Sequence, residues 1–310
     1  MHRREFLRTF TTLAAASALP LATPAPEKPR IAVTMDDPTT SVSPNIAWRE
    51  ANRAILDTLD KWGLKIALFV CGMRVDSPQG KELLGQWDEA GHLICNHSYS
   101  HLNFNSAQKS YDDFAADFTR NEPLIKPYRR FTRLFRYPFL KEGDTAEKRD
   151  RFRALLKQNG YGVGHVTIDA SDWYVDERMN ARLDKQPAAN TEPYGDYLQA
   201  HLLDRAAFYR QLALDVLGHE IAHTLLLHHR MINALYLEDV IGAFSDKGWQ
   251  WIDARRAFDD PVFKRQPQTA PAGESLVWAL AKEAGHFDDR LRYPGESDVY
   301  EKPPMDSLGL

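Results

Sequence analysis

Cysteine is scarce. The 310 residues contain only Cys71 and Cys95, whose spacing gives no cysteine-based zinc site. Each lies in or beside an apolar run, so a pairing in an oxidising compartment and two buried free thiols both remain open. Long hydrophobic runs are also missing, since nothing after the amino terminus approaches the roughly 20 apolar residues of a membrane span. Nor is there a basic surplus. The formal net charge is -4, and residues 1–25 contribute three arginines against Glu5, which leaves the rest near -6. That balance argues against nucleic acid or an anionic membrane as partner. No internal repeat or low-complexity tract interrupts an ordinary globular composition, 43% hydrophobic and 26% charged. The length suits one large domain or two small ones.

What is present begins with MHRREFLRTFTTLAAASALPLATPA, a basic start followed by a modest apolar stretch and small residues. This is the layout of an export signal over residues 1–25, and Arg3 and Arg4 before Phe6 and Leu7 resemble a twin-arginine signal. Cleavage after Ala18 or Ala25 is compatible with it, and no nearby cysteine offers a lipid anchor. The expectation is a periplasmic or secreted protein.

Seven short apolar runs follow, at 31–35, 66–70, 92–96, 134–137, 163–168, 224–228 and 249–252. They alternate with helical stripes. Between the first two runs, Ile46, Ala47, Ala51, Ala54, Ile55, Leu59 and Trp62 recur at helical spacing, and Gly63 stops the helix. Similar stripes occupy 80–90, 106–125, 145–158, 198–218 and 231–247. Apolar strands joined by amphipathic helices predict an α/β fold, a distorted seven-stranded (β/α) barrel over about residues 30–255. Residues 174–197, rich in charge, Asn, Pro and Gly, read as a long loop at the strand ends. Residues 256–310 read as a C-terminal extension packed on the barrel, with a helical stretch around Ser275 to Ala284.

In such a barrel, functional groups collect at the carboxyl ends of the strands. Those ends carry Asp36 and Asp37, His97 and His101, Arg136, Asp169 and Asp172, and His228 and His229. So many ionisable groups at one rim would repel or desolvate one another unless a cation organised them. HSYSH sets two imidazoles four residues apart, and a carboxylate from Asp36 or Asp37 would complete three protein ligands with one position left for water. A rival lies at 219–223, where HEIAH resembles a metallopeptidase helix with His219 and His223 as zinc ligands and Glu220 as base. His229 even stands where a third ligand is wanted, but Leu226 replaces the glycine at which the chain must turn. An apolar run ending in histidine fits a barrel strand better. His219, Glu220 and His223 then read as the end of a helix and its turn. His165 reads as a core histidine, His201 as a helix-surface one, and Tyr99, between the two imidazoles, as either a substrate contact or a packing residue.

Taken in order, TMDD at 34–37, HSYSH at 97–101, RYP at 136–138, DASDW at 169–173 and LLLHH at 225–229 resemble the five motifs of the polysaccharide deacetylase family, the NodB homology domain or carbohydrate esterase family 4. The resemblance implies that Asp37, His97 and His101 hold a divalent metal, usually Zn2+, with Co2+ or Ni2+ as alternatives. Asp36 is then the general base and Arg136 its positioning partner. The last motif fits His228 and also His229 as general acid, with His228 preferred because the apolar run ends there, and Asp172 is the group that tunes it. Trp173 and Tyr137 line the pocket, the backbone N–H of Phe139 meets the developing oxyanion, and Asp169 is a supporting partner. The implied activity is removal of N-acetyl groups from amino sugars of a peptidoglycan- or chitin-like glycan, with a carbohydrate as substrate and no protein partner. O-acetyl ester or cyclic amide hydrolysis would use the same site. A metallopeptidase and a non-catalytic glycan-binding protein are the readings from other classes. Met35 and Pro38 replace the usual Phe and Gly of the first motif, and Phe139 and Leu140 stand where a small residue is common.

Overall fold

The computed structural model describes residues 28–292 and 297–310, so the export signal expected at 1–25 lies outside the described residues. In chain order the elements are β1 (Arg30–Asp36), α1 (Trp48–Lys61), β2 (Ala67–Val70), α2 (Pro78–Glu89), β3 (Leu93–Asn96), α3 (Tyr111–Ile125), β4 (Phe131–Phe135), β5 (Lys141–Gly143), α4 (Ala146–Gln158) and β6 (Gly162–Val163). They continue with α5 (Asp172–Lys185), α6 (Glu192–Leu217), β7 (Ala222–His228), α7 (Met231–Asp246), β8 (Gln250–Trp251), α8 (Ala254–Phe258), β9 (Ala272–Gly273) and α9 (Leu276–Ala284). Two short helices, Ser297–Tyr300 and Lys302–Ser307, end the chain.

Seven strands form one parallel sheet in the order β6-β4-β3-β2-β1-β7, with β8 beside the start of β1. The period of two in β1 sorts its side chains. Ile31, Val33 and Met35 join the large core beneath the helices, whereas Ala32 packs with Ala67, Phe69, Cys95 and Ala222 on the inner face. The fifth run is where the ring is distorted. Only Gly162 and Val163 pair with β4, and the chain then crosses so that Ile168 bridges Leu225 of β7. Gly164 makes this crossing possible, because a Cβ there would stand 2.3 Å from the Phe69 ring. Run four also shifts, from 134–137 to β4 at Phe131–Phe135, which leaves Arg136 and Tyr137 beyond the strand. Cys71 and Cys95 are buried free thiols and do not pair.

Several expectations need correction. Residues 174–197 are not a long loop: α5 and the start of α6 occupy most of them. Val175, Met179 and Leu183, four residues apart, bury one stripe, and the charges that suggested a loop line the other faces. His201 is not on a helix surface, since α6 buries it and its Nε2 accepts from the Ser171 N–H at 3.1 Å. His223 is no part of a turn but lies fully buried in β7, its Nδ1 3.1 Å from Thr167 Oγ1 and its ring near Trp249.

Beyond β8, residues 267–276 form a tight strap against α4 and β5. Arg149 of α4 donates to the Gln268 and Thr269 carbonyls, and Arg153 donates to the Pro267 carbonyl. The short strand β9 then pairs antiparallel with β5. Gly273 has φ +126°, and a Cβ there would lie 2.0 Å from the Leu140 carbonyl oxygen. Gly273→Ala is therefore expected to cost about 2–3 kcal/mol and to lower Tm by roughly 5 °C in a thermal melt.

Candidate functional site

The strand ends of the sheet are stitched by a continuing ladder of backbone bonds. His229 N–H donates to the Asp36 carbonyl, Asp37 N–H to Phe69, His97 N–H to Val70 and Arg136 N–H to Asn96. Each motif residue is thereby fixed to the neighbouring strand. Asp36 and His228 stand in register on β1 and β7, and their side chains face the same cavity of about 490 Å³.

Successive strand residues ordinarily face opposite sides. Asp37 escapes this because its φ is +58°, a left-handed turn that keeps both neighbouring carboxylates at the cavity. No such turn follows His228, so His229 points the other way. It is buried, with Nε2 3.1 Å from Asn52 Oδ1 and Nδ1 accepting from Thr39 N–H. Among the described residues, every non-glycine position with positive φ is Asp37, Ser98, His101, Phe139, Leu140 or Glu274. Five of these six line the cavity, and Ser98 belongs to the histidine loop. Backbone strain of this kind persists only where surrounding structure over-determines it.

One atom each from Asp37, His97 and His101 lies within 4.8 Å of the other two. His97 is oriented by its Nδ1, 2.9 Å from the Arg136 carbonyl, which leaves Nε2 toward the cavity. Burial pushes the His101 imidazole down to about 3, so it is neutral and keeps a lone pair. Burial alone would raise the Asp37 carboxyl, but His101, His97 and Arg74 outweigh it and hold it below the usual carboxylate value. Two imidazoles and one carboxylate fit a divalent metal of the zinc type. Asp37 Oδ1 has no hydrogen-bond partner although it is buried. Arg74 Nε stands 3.1 Å from it as an ion pair outside hydrogen-bonding geometry.

Asp36 is the other carboxylate. Its Oδ1 accepts from Arg136 Nη1 at 2.6 Å, and its Oδ2 is 3.6 Å from His97 Nε2. Arg136 is itself immobilised, with Nε donating to the Gly164 carbonyl at 2.8 Å and its guanidinium 3.9 Å above the Phe69 ring. Across the cavity, Asp172 accepts from His228 through both the ring Nδ1 and the backbone N–H, at 2.7 Å each, and from Asn233 Nδ2. Burial would lower the His228 pKa, but the Asp172 carboxylate overrides it and the value rises to about 9. Burial and the nearby Glu274 carboxylate push Asp169 up to about 7.

Trp173 and Phe139 wall the cavity, and Phe139 is 54% exposed with its ring 4.5 Å from that of His101. Pro138–Leu140 is a single 3-10 turn closed by Leu140 N–H to the Tyr137 carbonyl. The carbonyl three residues before Phe139 belongs to Arg136 and faces His97, so the turn itself gives the Phe139 N–H no partner. Tyr137 does not line this cavity, contrary to expectation. Coming directly after inward-facing Arg136, it turns outward into an aromatic cluster with Phe114, Phe135 and Phe152. Tyr99 also turns away, donating to Asp76 Oδ2 and carrying Arg120 over its ring. His165 is buried 3.6 Å from Glu142.

The rival motif is dispersed. His219 is exposed beyond the end of α6, Glu220 pairs with Arg210, and His223 faces the helical layer from β7. Sequence reasoning missed Arg74, Lys141 and Glu274 at the cavity. Arg74 follows the end of β2 and was open to the same strand-end rule, whereas Glu274 lies outside the barrel pattern and carries no such signal.

Residues 23–163 match the sequence model of the polysaccharide deacetylase family. Among solved structures, the peptidoglycan deacetylase PdaC from Bacillus subtilis has 20% identity and a TM-score of 0.50, covering 76% of this chain and 92% of its own. A mutant of a CE4 family pseudoenzyme from Bacillus anthracis, with restored enzymatic activity, has 19% identity and a TM-score of 0.51, covering 76% of this chain and 69% of its own. At such identities the likeness establishes the fold, an α/β half-barrel with surrounding helices. No curated protein matches the chain. No helix among the described residues is long and apolar enough to cross a membrane.

Proposed function

We propose, on the premise that this chain belongs through residues 23–163 to the polysaccharide deacetylase family, that it hydrolyses N-acetyl groups on amino sugars of a glycan. One observation carries the reading. A carboxylate fixed by a buried arginine and an imidazole kept protonated by a buried aspartate face one cavity from adjacent strands, beside a three-residue metal-ligand set. An anchored carboxylate facing an imidazole that a buried aspartate holds protonated places a proton acceptor and a proton donor at one cavity.

Asp37, His97 and His101 would hold the metal, Zn2+ by donor type, which when bound polarises an acyl oxygen and acidifies water. Asp36 would take the proton of the attacking water. Arg136 keeps that carboxylate in one orientation, which spares the cost of organising it during reaction. The Phe139 N–H would donate to the oxygen on which negative charge builds. His228 would protonate the departing nitrogen, with Asp172 holding the imidazole's tautomer and charge. Trp173 and Phe139 would bound the acyl and sugar groups, and Asp169 would support the polar wall.

The protonated His228 favours an amide over an ester. An amine leaves only with a proton, and an acid that keeps its own up to about pH 9 is suited to supply it. We further propose, from the leader sequence, export by the twin-arginine route to the periplasm or beyond. The test is acetate release from chitin oligosaccharides, peptidoglycan and O-acetylated xylan. Release from an N-acetylated glycan should fall on chelation and return with added Zn2+. A metal-loaded protein inert on every N-acetylated glycan would overturn the proposal.

A further inference from the structure

The strap at residues 267–276 brings a charged side chain to the cavity that no barrel strand supplies. Glu274 has a positive φ of +68°, and its backbone N–H donates to the Leu140 carbonyl at 2.8 Å. On its far side, Ser275 Oγ donates to the Thr167 carbonyl and Leu276 N–H to the Val166 carbonyl. The strap is thus bonded to the Pro138–Leu140 turn and to the ring-closing segment, and Gly273 sits so close to Leu140 that no other residue fits without displacement. Inside the cavity, the Glu274 carboxylate pairs with Lys141 Nζ, and its side chain is only 9% exposed against 25% for Lys141.

A buried carboxylate held against an ammonium, on a strained residue, at the mouth of a site with an exposed aromatic ring, is an expensive arrangement for packing alone. It offers an acceptor and a donor side by side. That is the complement of a sugar hydroxyl, which both donates and accepts. The aromatic face of Phe139 supplies the flat apolar surface beside it. The opposite charges cancel, so the pair does not select an anionic sugar. We propose that the C-terminal extension completes the site, and that Glu274 with Lys141 binds hydroxyl groups of the glycan beside the acylated residue. The inference rests on the deacetylase reading for the class of ligand.

The test uses full-length, zinc-supplemented protein carrying Glu274→Gln or Glu274→Ala. Binding of N-acetylated chitin tetrasaccharide is measured by calorimetry in an Asp36→Asn background, where the sugar is not consumed. Hydrogen bonds to a charged group lead us to expect a Kd weakened by roughly ten-fold. In the active background, kcat/KM on the tetrasaccharide should fall by about ten-fold more than on 4-nitrophenyl acetate, which has no sugar hydroxyls. Glu274→Gln keeps the strap's shape and guards against a folding artefact. An unchanged Kd, equal losses on both substrates, or no tetrasaccharide binding by the parent protein would each overturn the assignment. If the deacetylase reading fails instead, the parent releases no acetate from the tetrasaccharide while the Kd comparison still reports on Glu274.

Discussion

Asp36→Asn is expected to lower kcat for acetate release by on the order of 10²–10⁴-fold, the usual worth of a general base. Asparagine preserves the shape and an oxygen for Arg136 Nη1 but takes no proton. A second effect comes with it. Arg136 is 1% exposed and Asp36 is the carboxylate in contact with it, so the substitution leaves a buried guanidinium without a counter-charge. Breaking a buried pair costs about 3–5 kcal/mol when one partner is lost, and the amide oxygen recovers part of it. The variant should melt earlier and still be folded at assay temperature, with glycan affinity close to that of the parent. Retention of more than about a tenth of kcat would remove Asp36 from the role of base.

Asp172→Asn should be nearly as damaging, and its pH profile identifies the cause. With the aspartate in place, activity that needs protonated His228 declines as pH rises through about 9. Occupation of Asp37 by a cation removes part of the negative field, so the observed limb should fall at or below that value. Without Asp172, the largest influence raising the imidazole is lost while burial still lowers it, so its pKa falls. The alkaline limb should then move to lower pH, with kcat at pH 8 reduced by about 10²-fold. The stability sign follows from the same pair. A folded pKa above the unfolded one gives a contribution that is full below about pH 6.5 and lost as pH rises through about 9. Asp172 is depressed, burial notwithstanding, because His228 and its hydrogen bonds favour the anion, so its contribution holds above its unfolded value of 3.8 and is lost as pH falls through its lower folded value. The parent should lose stability at alkaline pH that the variant never had. A limb unmoved by Asp172→Asn would show that another group supplies the proton.

Much of this was legible because it is local. A strand buried on both faces reads as an apolar run whatever surrounds it, and a parallel sheet exposes its strand ends on one rim, so Asp36, His97, Arg136 and the pair His228 and His229 were placed at that rim from order alone. The charged face of α5 concealed its buried stripe of Val175, Met179 and Leu183. Tyr137 was misplaced because its direction depends on where β4 ends, and β4 stops at Phe135, before Arg136.

The sequence by itself determined the alternation of strands and helices, the grouping of ionisable residues at one rim, and the family those motifs resemble, because each depends on spacing along the chain. The tertiary structure alone decided which of two adjacent histidines meets the cavity, how two consecutive aspartates both face it, and that Glu274 arrives there from beyond the barrel. Those outcomes turn on a left-handed φ at Asp37 and on contacts between segments more than 100 residues apart, neither of which leaves a periodic trace.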